Sequence, residues 1–204
     1  MSYVCILDYG SGNVKSVYNL FSSIAEHVVI SNDPTEIRQA THFVLPGVGA
    51  FSAAMRKIRE RLPMDLLEKV VLNDKKPFLG ICVGMQVLAT RGMEFGECPG
   101  LGWIEGNVEI INSKQLPLPH IGWNNVSGKK DSPLLTGLGN DPDFYFVHSY
   151  AYHLKNDQHL LATTTYGENF CSAVQRENIY GVQFHPEKSQ RTGIRLAKNF
   201  LALL

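Results

Sequence analysis

Two short segments carry residues whose types and spacing suit acyl transfer. Gly80-Ile81-Cys82-Val83-Gly84 sets a thiol between small residues two positions to either side. This is the pattern of a nucleophile elbow, in which a sharp strand-to-helix turn strains the nucleophile and only small flanking residues leave room for the crossing. At a helix N-terminus the free backbone N–H groups and the dipole also favour a thiolate. Far downstream, Gly181-Val182-Gln183-Phe184-His185-Pro186-Glu187 ends an apolar strand in an imidazole, with a carboxylate two positions on. Pro186 stops the strand pairing that would hide them, and the spacing lets His185 and Glu187 point the same way. Thiol, imidazole and carboxylate divide the labour of acyl transfer: the first attacks, the second carries the proton to the leaving group, the third orients the second.

Such a site also needs donors for an oxyanion. The N–H of Val83 follows the nucleophile directly, and the turn Pro46-Gly47-Val48-Gly49 can present another. That turn is no phosphate cradle, because neither GxGxxG nor GxxxxGK[ST] occurs. The four cysteines, Cys5, Cys82, Cys98 and Cys171, form no CxxC pair and have no histidine at metal-ligand spacing, so reduced thiols and no metal are expected.

The elements that must hold these residues follow from periodicity. Short β-branched or aromatic runs at Tyr3 to Leu7, Val28 to Ile30, His42 to Leu45 and Pro77 to Ile81 alternate with helical patterns at Asn13 to Ala25, from Pro34, at Ala50 to Leu62, Pro63 to Asn73 and Val83 to Thr90. Alternation of this kind predicts βαβ units on a parallel sheet, with ligands at the carboxyl ends of its strands. From Gly100 the pattern turns β-rich, with strands predicted at Trp103 to Ile111, Gly122 to Val126, Phe144 to Val147, Leu160 to Thr165, Cys171 to Arg176 and Tyr180 to Phe184 as an extension of the sheet. Thr192 to Leu204 returns to a helix, and Ser127 to Ser132 is the best linker candidate.

Composition narrows the classes. The chain has 204 residues, 44% hydrophobic and 19% charged, which suits one folded domain over residues 1–204. Nineteen Lys and Arg cancel nineteen Asp and Glu, leaving no electrostatic footprint for nucleic acid or an anionic membrane. The longest apolar stretch, Phe78 to Thr90, is too short and interrupted to span a bilayer, and the N-terminus has no basic segment of a signal peptide. A cytoplasmic protein acting on a small neutral or zwitterionic ligand is expected.

Gly80-Ile81-Cys82-Val83-Gly84-Met85-Gln86 together with Phe184-His185-Pro186-Glu187-Lys188-Ser189 resembles the class I, triad-type glutamine amidotransferases. Asp8-Tyr9-Gly10-Ser11-Gly12-Asn13, Pro46-Gly47-Val48-Gly49-Ala50-Phe51, Pro119-His120-Ile121-Gly122-Trp123-Asn124 and Phe144-Tyr145-Phe146-Val147-His148-Ser149-Tyr150 look like the glutaminase subunits of imidazole glycerol phosphate synthases, along the whole chain. The resemblance implies a flavodoxin-like α/β fold, an open, mostly parallel sheet with helices on both faces. It makes Cys82 the nucleophile, His185 the acid/base and Glu187 its orienting carboxylate, with Val48, Gly49 and Val83 at the oxyanion hole. Gln86, Glu94, His148, Ser149 and Tyr150 match positions that hold glutamine, and Asn13, Pro119, Ile121, Trp123 and Lys188 match the face toward a (β/α)8-barrel cyclase subunit in a heterodimer. No cofactor is implied. An amidotransferase subunit serving sugar modification of surface polysaccharides would share these motifs, as the alternative; a stand-alone cysteine hydrolase and a silent binding module are the more distant ones.

Overall fold

Residues 2–203 are described by the computed structural model. Continuous apolar runs, buried on both faces, make the parallel core of the sheet. In chain order Tyr3–Leu7 is β1, Val14–Ser22 α1, His27–Ser31 β2, Pro34–Gln39 α2, His42–Gly47 β3, Phe51–Arg61 α3, Met64–Glu68 α4, Phe78–Cys82 β4 and Val83–Gln86 α5. The β-rich half follows with Arg91–Gly92 as β5, Cys98–Pro99 as β6, Gly106–Ile110 as β7, His120–Asn125 as β8, Ser127–Gly128 as β9, Asp143–His148 as β10, Tyr150–Leu154 as β11, Leu160–Tyr166 as β12, Glu168–Arg176 as β13 and Ile179–Val182 as β14. Gln190–Leu201 closes the chain as α6.

The main sheet runs β2-β1-β3-β4-β14 in parallel. It continues through the antiparallel β13, β11 and β7 to β5 and β6, with β12 and β9 branching from β13. Register decides what meets at the carboxyl edge: Gly47 stands opposite Cys82, and Val182 opposite Ile81. The ends of β3, β4 and β14 therefore lie side by side, and the chain leaving β14 runs on to His185. Helix α1 packs on α6 and α2 on α4. Phe21 and Phe200 meet edge to face at 6.1 Å, and Phe78 meets Trp103 at 5.1 Å.

Several expectations need correction. β8 and β10 do not extend the main sheet but pair as a separate two-stranded ribbon. The inward aromatics explain it: Phe144 and Phe146 lie 3.9 and 5.7 Å from Phe184, so the ribbon is folded over the end of β14. The helix after Cys82 ends at Gln86 rather than Thr90, because Leu88 and Ala89 close tight three-residue turns and Thr90 N–H goes to Gly106 O. The helix from Pro63 is split, Lys69–Asn73 forming a wider turn in which Asp74 N–H reaches Lys69 O. The expected linker from Ser127 begins as strand β9 on β12, and β11 lies where no strand was expected. The strand expected from Trp103 starts only at Gly106, Trp103 being buried against Phe78.

Candidate active site

Cys82 occupies the turn from β4 into α5 with φ 55° and ψ −113°, a backbone conformation costly for any residue but glycine. The neighbouring glycines show what enforces it. A Cβ on Gly84 would overlap the Leu45 carbonyl, and one on Gly80 would overlap the Gly84 carbonyl. Close crossing of β3, β4 and α5 thus dictates small residues on both sides of the thiol, as the spacing predicts.

His185 stands just beyond β14 and Glu187 two residues on, where Pro186 opens a short helical turn. Their side chains are almost wholly buried, with His185 Nδ1 2.8 Å from Glu187 Oε1. The same oxygen accepts from Asn13 Nδ2 at 3.2 Å, while Asn13 Oδ1 accepts from Ser11 Oγ at 2.9 Å. Asn13 sits at the N-cap of α1 yet makes no cap bond, since its oxygen takes the Ser11 hydroxyl and its nitrogen the carboxylate. Sequence alone assigns Asn13 to the partner face; the structure gives it a contact inside the site. Burial pulls the His185 imidazole toward neutrality, but hydrogen bonds to Cys82 and Glu187 and their charges outweigh it and raise its pKa to about 10. His185 therefore holds its proton at neutral pH.

A cleft of about 450 Å³ opens over the thiol. Cys82, Val83 and His185 form its floor, Val48 and Gly49 one wall, and the His148 to Tyr150 segment another, with Gln86, Glu94, Pro119 and Lys188 also lining it. The expected oxyanion and substrate residues thus line one cleft with Cys82 and His185, while Glu187 is bonded to His185 but does not line it. Gly49 has φ +89°, a backbone conformation that favours glycine, and among the described residues nothing lies within 4 Å of where its Cβ would stand. At the other end of the turn the buried Tyr9 hydroxyl donates to Pro46 O at 2.8 Å. Glu94 accepts from the N–H of Phe51, first residue of α3, at 2.8 Å.

Behind the His148 segment the hydrogen bonds fix two tautomers. Asn124 Oδ1 accepts from Asn125 N–H, so its Nδ2 donates to His120 Nε2 at 3.2 Å. His120 Nδ1–H then goes to His148 Nε2 at 3.0 Å, and His148 Nδ1–H to Tyr150 O at 2.9 Å. Burial pushes His120 down to about 4 and His148 to about 3, so both rings are neutral struts.

Outside the cleft β8 alternates: His120 faces inward, whereas Ile121 and Trp123 are 59% and 49% exposed. Trp123 meets Tyr145 edge to face at 6.1 Å, and Lys188 Nζ lies 5.6 Å above the same Tyr145 ring. Ile121, Trp123 and Lys188 thus share one outer patch next to the cleft mouth. Sequence reasoning missed Phe95, 87% exposed at the cleft rim, and Gln183, fully buried and bonded to the thiol. Gln183 carried a signal: it stands two residues before His185 on an extended chain and so on the same side.

Residues 5–203 match the family model described as glutamine amidotransferase class-I. The chain is 43% identical over 202 residues to imidazole glycerol phosphate synthase subunit HisH of Leptospira borgpetersenii, covering 97% of this chain and 98% of that one. It is 47% identical over 206 residues to the subunit of the same name from Zymomonas mobilis, covering 98% and 95%. Among solved structures it resembles PurLQS from Thermotoga maritima with a TM-score of 0.75 at 16% identity, over 98% of this chain and 97% of that chain, a likeness of fold.

Proposed function

The chain belongs to the class-I glutamine amidotransferase family, and we propose that it hydrolyses glutamine on Cys82 to supply ammonia to the cyclase subunit of imidazole glycerol phosphate synthase in histidine biosynthesis. The observation that carries the chemistry is the buried His185–Glu187 pair beside a thiol on a strained turn. Relatives that share 41% to 47% identity over nearly the whole chain carry the name of that synthase subunit, which favours this acceptor over a polysaccharide sugar.

Cys82 Sγ attacks the carboxamide carbon of glutamine, and the oxyanion takes hydrogen bonds from the Val83 N–H and the Val48-Gly49 peptide. His185 gives its proton to the departing nitrogen, which leaves as ammonia from a γ-glutamyl thioester. Water then attacks the thioester carbon, His185 takes up its proton, and glutamate leaves with the thiolate restored. Glu187, steadied by Asn13, keeps the imidazole in the tautomer that presents Nε2 to the reaction. Gln86, Glu94 and the His148 to Tyr150 segment hold the amino-acid end of the substrate. Pro119, Ile121, Trp123 and Lys188 form the face for a (β/α)8-barrel cyclase, in a cytoplasmic heterodimer of which residues 1–204 are the single amidotransferase domain.

The test is synthesis by the reconstituted complex. Cys82→Ala abolishes the glutamine-dependent reaction and spares the one driven by ammonium salts, since the thiol acts only in making ammonia. Glutaminase turnover surviving in that variant would be fatal to the assignment. The chain alone releases glutamate far more slowly than the complex with cyclase ligand bound, because glycines on either side of Val48 let its peptide turn away from the oxyanion at low steric cost until the partner sets it; one oxyanion donor is worth about 100-fold to 1000-fold.

A further inference from the structure

Gln183 is fully buried, and its backbone N–H is tied to Ser172 O at 2.9 Å. Its side-chain Nε2 lies 3.6 Å from Cys82 Sγ, and its Oε1 lies 3.0 Å from Gln86 Nε2. Gln86 Nε2 also reaches Tyr150 O at 3.1 Å. These contacts fix the sense of every bond. A backbone carbonyl can only accept, so Gln86 must turn its nitrogen to Tyr150; that nitrogen can only donate, so Gln183 must turn its oxygen to Gln86. The Gln183 nitrogen then has nowhere to point but at the sulfur.

The sulfur has a rival partner. Val147 O lies 3.9 Å away and can accept the S–H, which would favour the thiol over the thiolate. An N–H donated to sulfur works the other way: it occupies a lone pair and favours the state in which sulfur has released its proton. The donor cannot drift, because two amides and a main-chain carbonyl anchor it.

We propose that Gln183 is a positioning residue for the nucleophile: through the relay Tyr150 O, Gln86, Gln183, its amide N–H holds the Cys82 sulfur on the turn and favours the thiolate that pairs with the protonated His185. The proposal rests on Cys82 being the nucleophile of the glutaminase reaction. Gln86 lines the cleft, so the relay has one end at the substrate and the other at the attacking atom.

The test uses the complex with the cyclase subunit and two variants. Gln183→Met keeps the volume and removes both the donor to the sulfur and the acceptor for Gln86; Gln183→Glu keeps the oxygen that accepts from Gln86 and turns a second oxygen to the sulfur. Glutamine-dependent kcat falls about 10-fold in Gln183→Met, as for a lost hydrogen bond of about 1.4 kcal/mol, and further in Gln183→Glu. KM stays within about 2-fold in Gln183→Glu, which keeps the Gln86 anchor, and ammonia-driven synthesis, which bypasses the thiol, is unchanged in both. The pH at which iodoacetamide modifies Cys82 at half its maximal rate rises in both variants, more in the Glu variant. A merely structural role would lower kcat or raise KM without moving that pH profile. Wild-type kcat, or an unmoved profile, in whichever variant folds overturns the proposal. Should Gln183→Met fail to fold, the isosteric Gln183→Glu decides alone. Retained turnover in Cys82→Ala would instead remove the premise, so the two failures are distinct.

Discussion

An amide in place of Glu187 has two ways to sit, and the structure selects one. In Glu187→Gln the oxygen can take the Oε1 position, where both His185 Nδ1–H and Asn13 Nδ2 donate, and the nitrogen then takes the Oε2 position, which is buried without a protein partner. In the reverse setting the amide nitrogen would face two donors. Because the protonated His185 can only donate through Nδ1–H, the first setting wins and the ring keeps its orientation. What is lost is charge. A hydrogen bond to a charged group is worth about 1.5–3 kcal/mol against about 0.5–1.5 for a neutral one, a difference of about 1–2 kcal/mol and so about 5-fold to 30-fold in rate. The assay is glutamate release by the ligand-saturated complex, with ammonia-driven synthesis as control. His185→Asn, which removes the proton carrier itself, loses far more. Asn13→Ala frees the amide to turn, so Asn13→Ala/Glu187→Gln falls below the product of the single losses, toward the ~10,000-fold that a wrong tautomer costs a catalytic triad. Glu187→Gln alone falling to within 10-fold of His185→Asn, or a strictly multiplicative double variant, refutes the reasoning.

Limited iodoacetamide treatment followed by peptide mass spectrometry modifies Cys82 ahead of Cys5 and Cys171, since burial pushes the Cys5 thiol up to about 12 and that of Cys171 upward too; equal rates would contradict the site. A His185 pKa raised to about 10 gives stability that is fully present below the unfolded value near pH 6.5 and lost as pH rises through about 10. The urea midpoint of the wild type therefore declines between pH 7 and 10 more steeply than that of His185→Asn, and parallel curves would show that the imidazole is not so held. Gly84→Ala drives a Cβ into the Leu45 carbonyl and lowers Tm by at least about 5 °C with loss of turnover, whereas Gly49→Ala, with open space and only a positive φ against it, costs a few degrees. Similar shifts in calorimetry would mean that the crossing at the thiol is not tight.

The strands of the parallel half were legible because each is a continuous apolar run closed by a turn residue, and β3 and β4 differ from expectation only at their ends. The separate ribbon was not legible. Gly122 to Val126 and Phe144 to Val147 have the residue types of any strand, and what removes them from the sheet is the stacking of Phe144 on Phe184, a contact between residues forty positions apart. Strand β11 was missed for a related reason: Tyr150–Leu154 follows β10 after one residue, and nothing local marks Ser149 as the point where the chain changes sheets.

The site divides along the same line. The strained turn at Cys82 and the His185–Glu187 pair were readable because they depend on spacing within one turn or two residues, which a sequence displays. Gln183 was not read, although it stands as near to His185 as Glu187 does, because an amide has no chemistry of its own to announce. Its part appears only when Gln86 and Tyr150 fix which of its two ends faces the sulfur. Asn13 shows the same limit: a cap residue at a helix start is the ordinary reading of its position, and only the fold reveals that α1 forgoes the cap so that the amide can steady Glu187. In this chain the thiol turn and the imidazole–carboxylate pair are set by short-range pattern, while the amides that contact them are set by long-range packing.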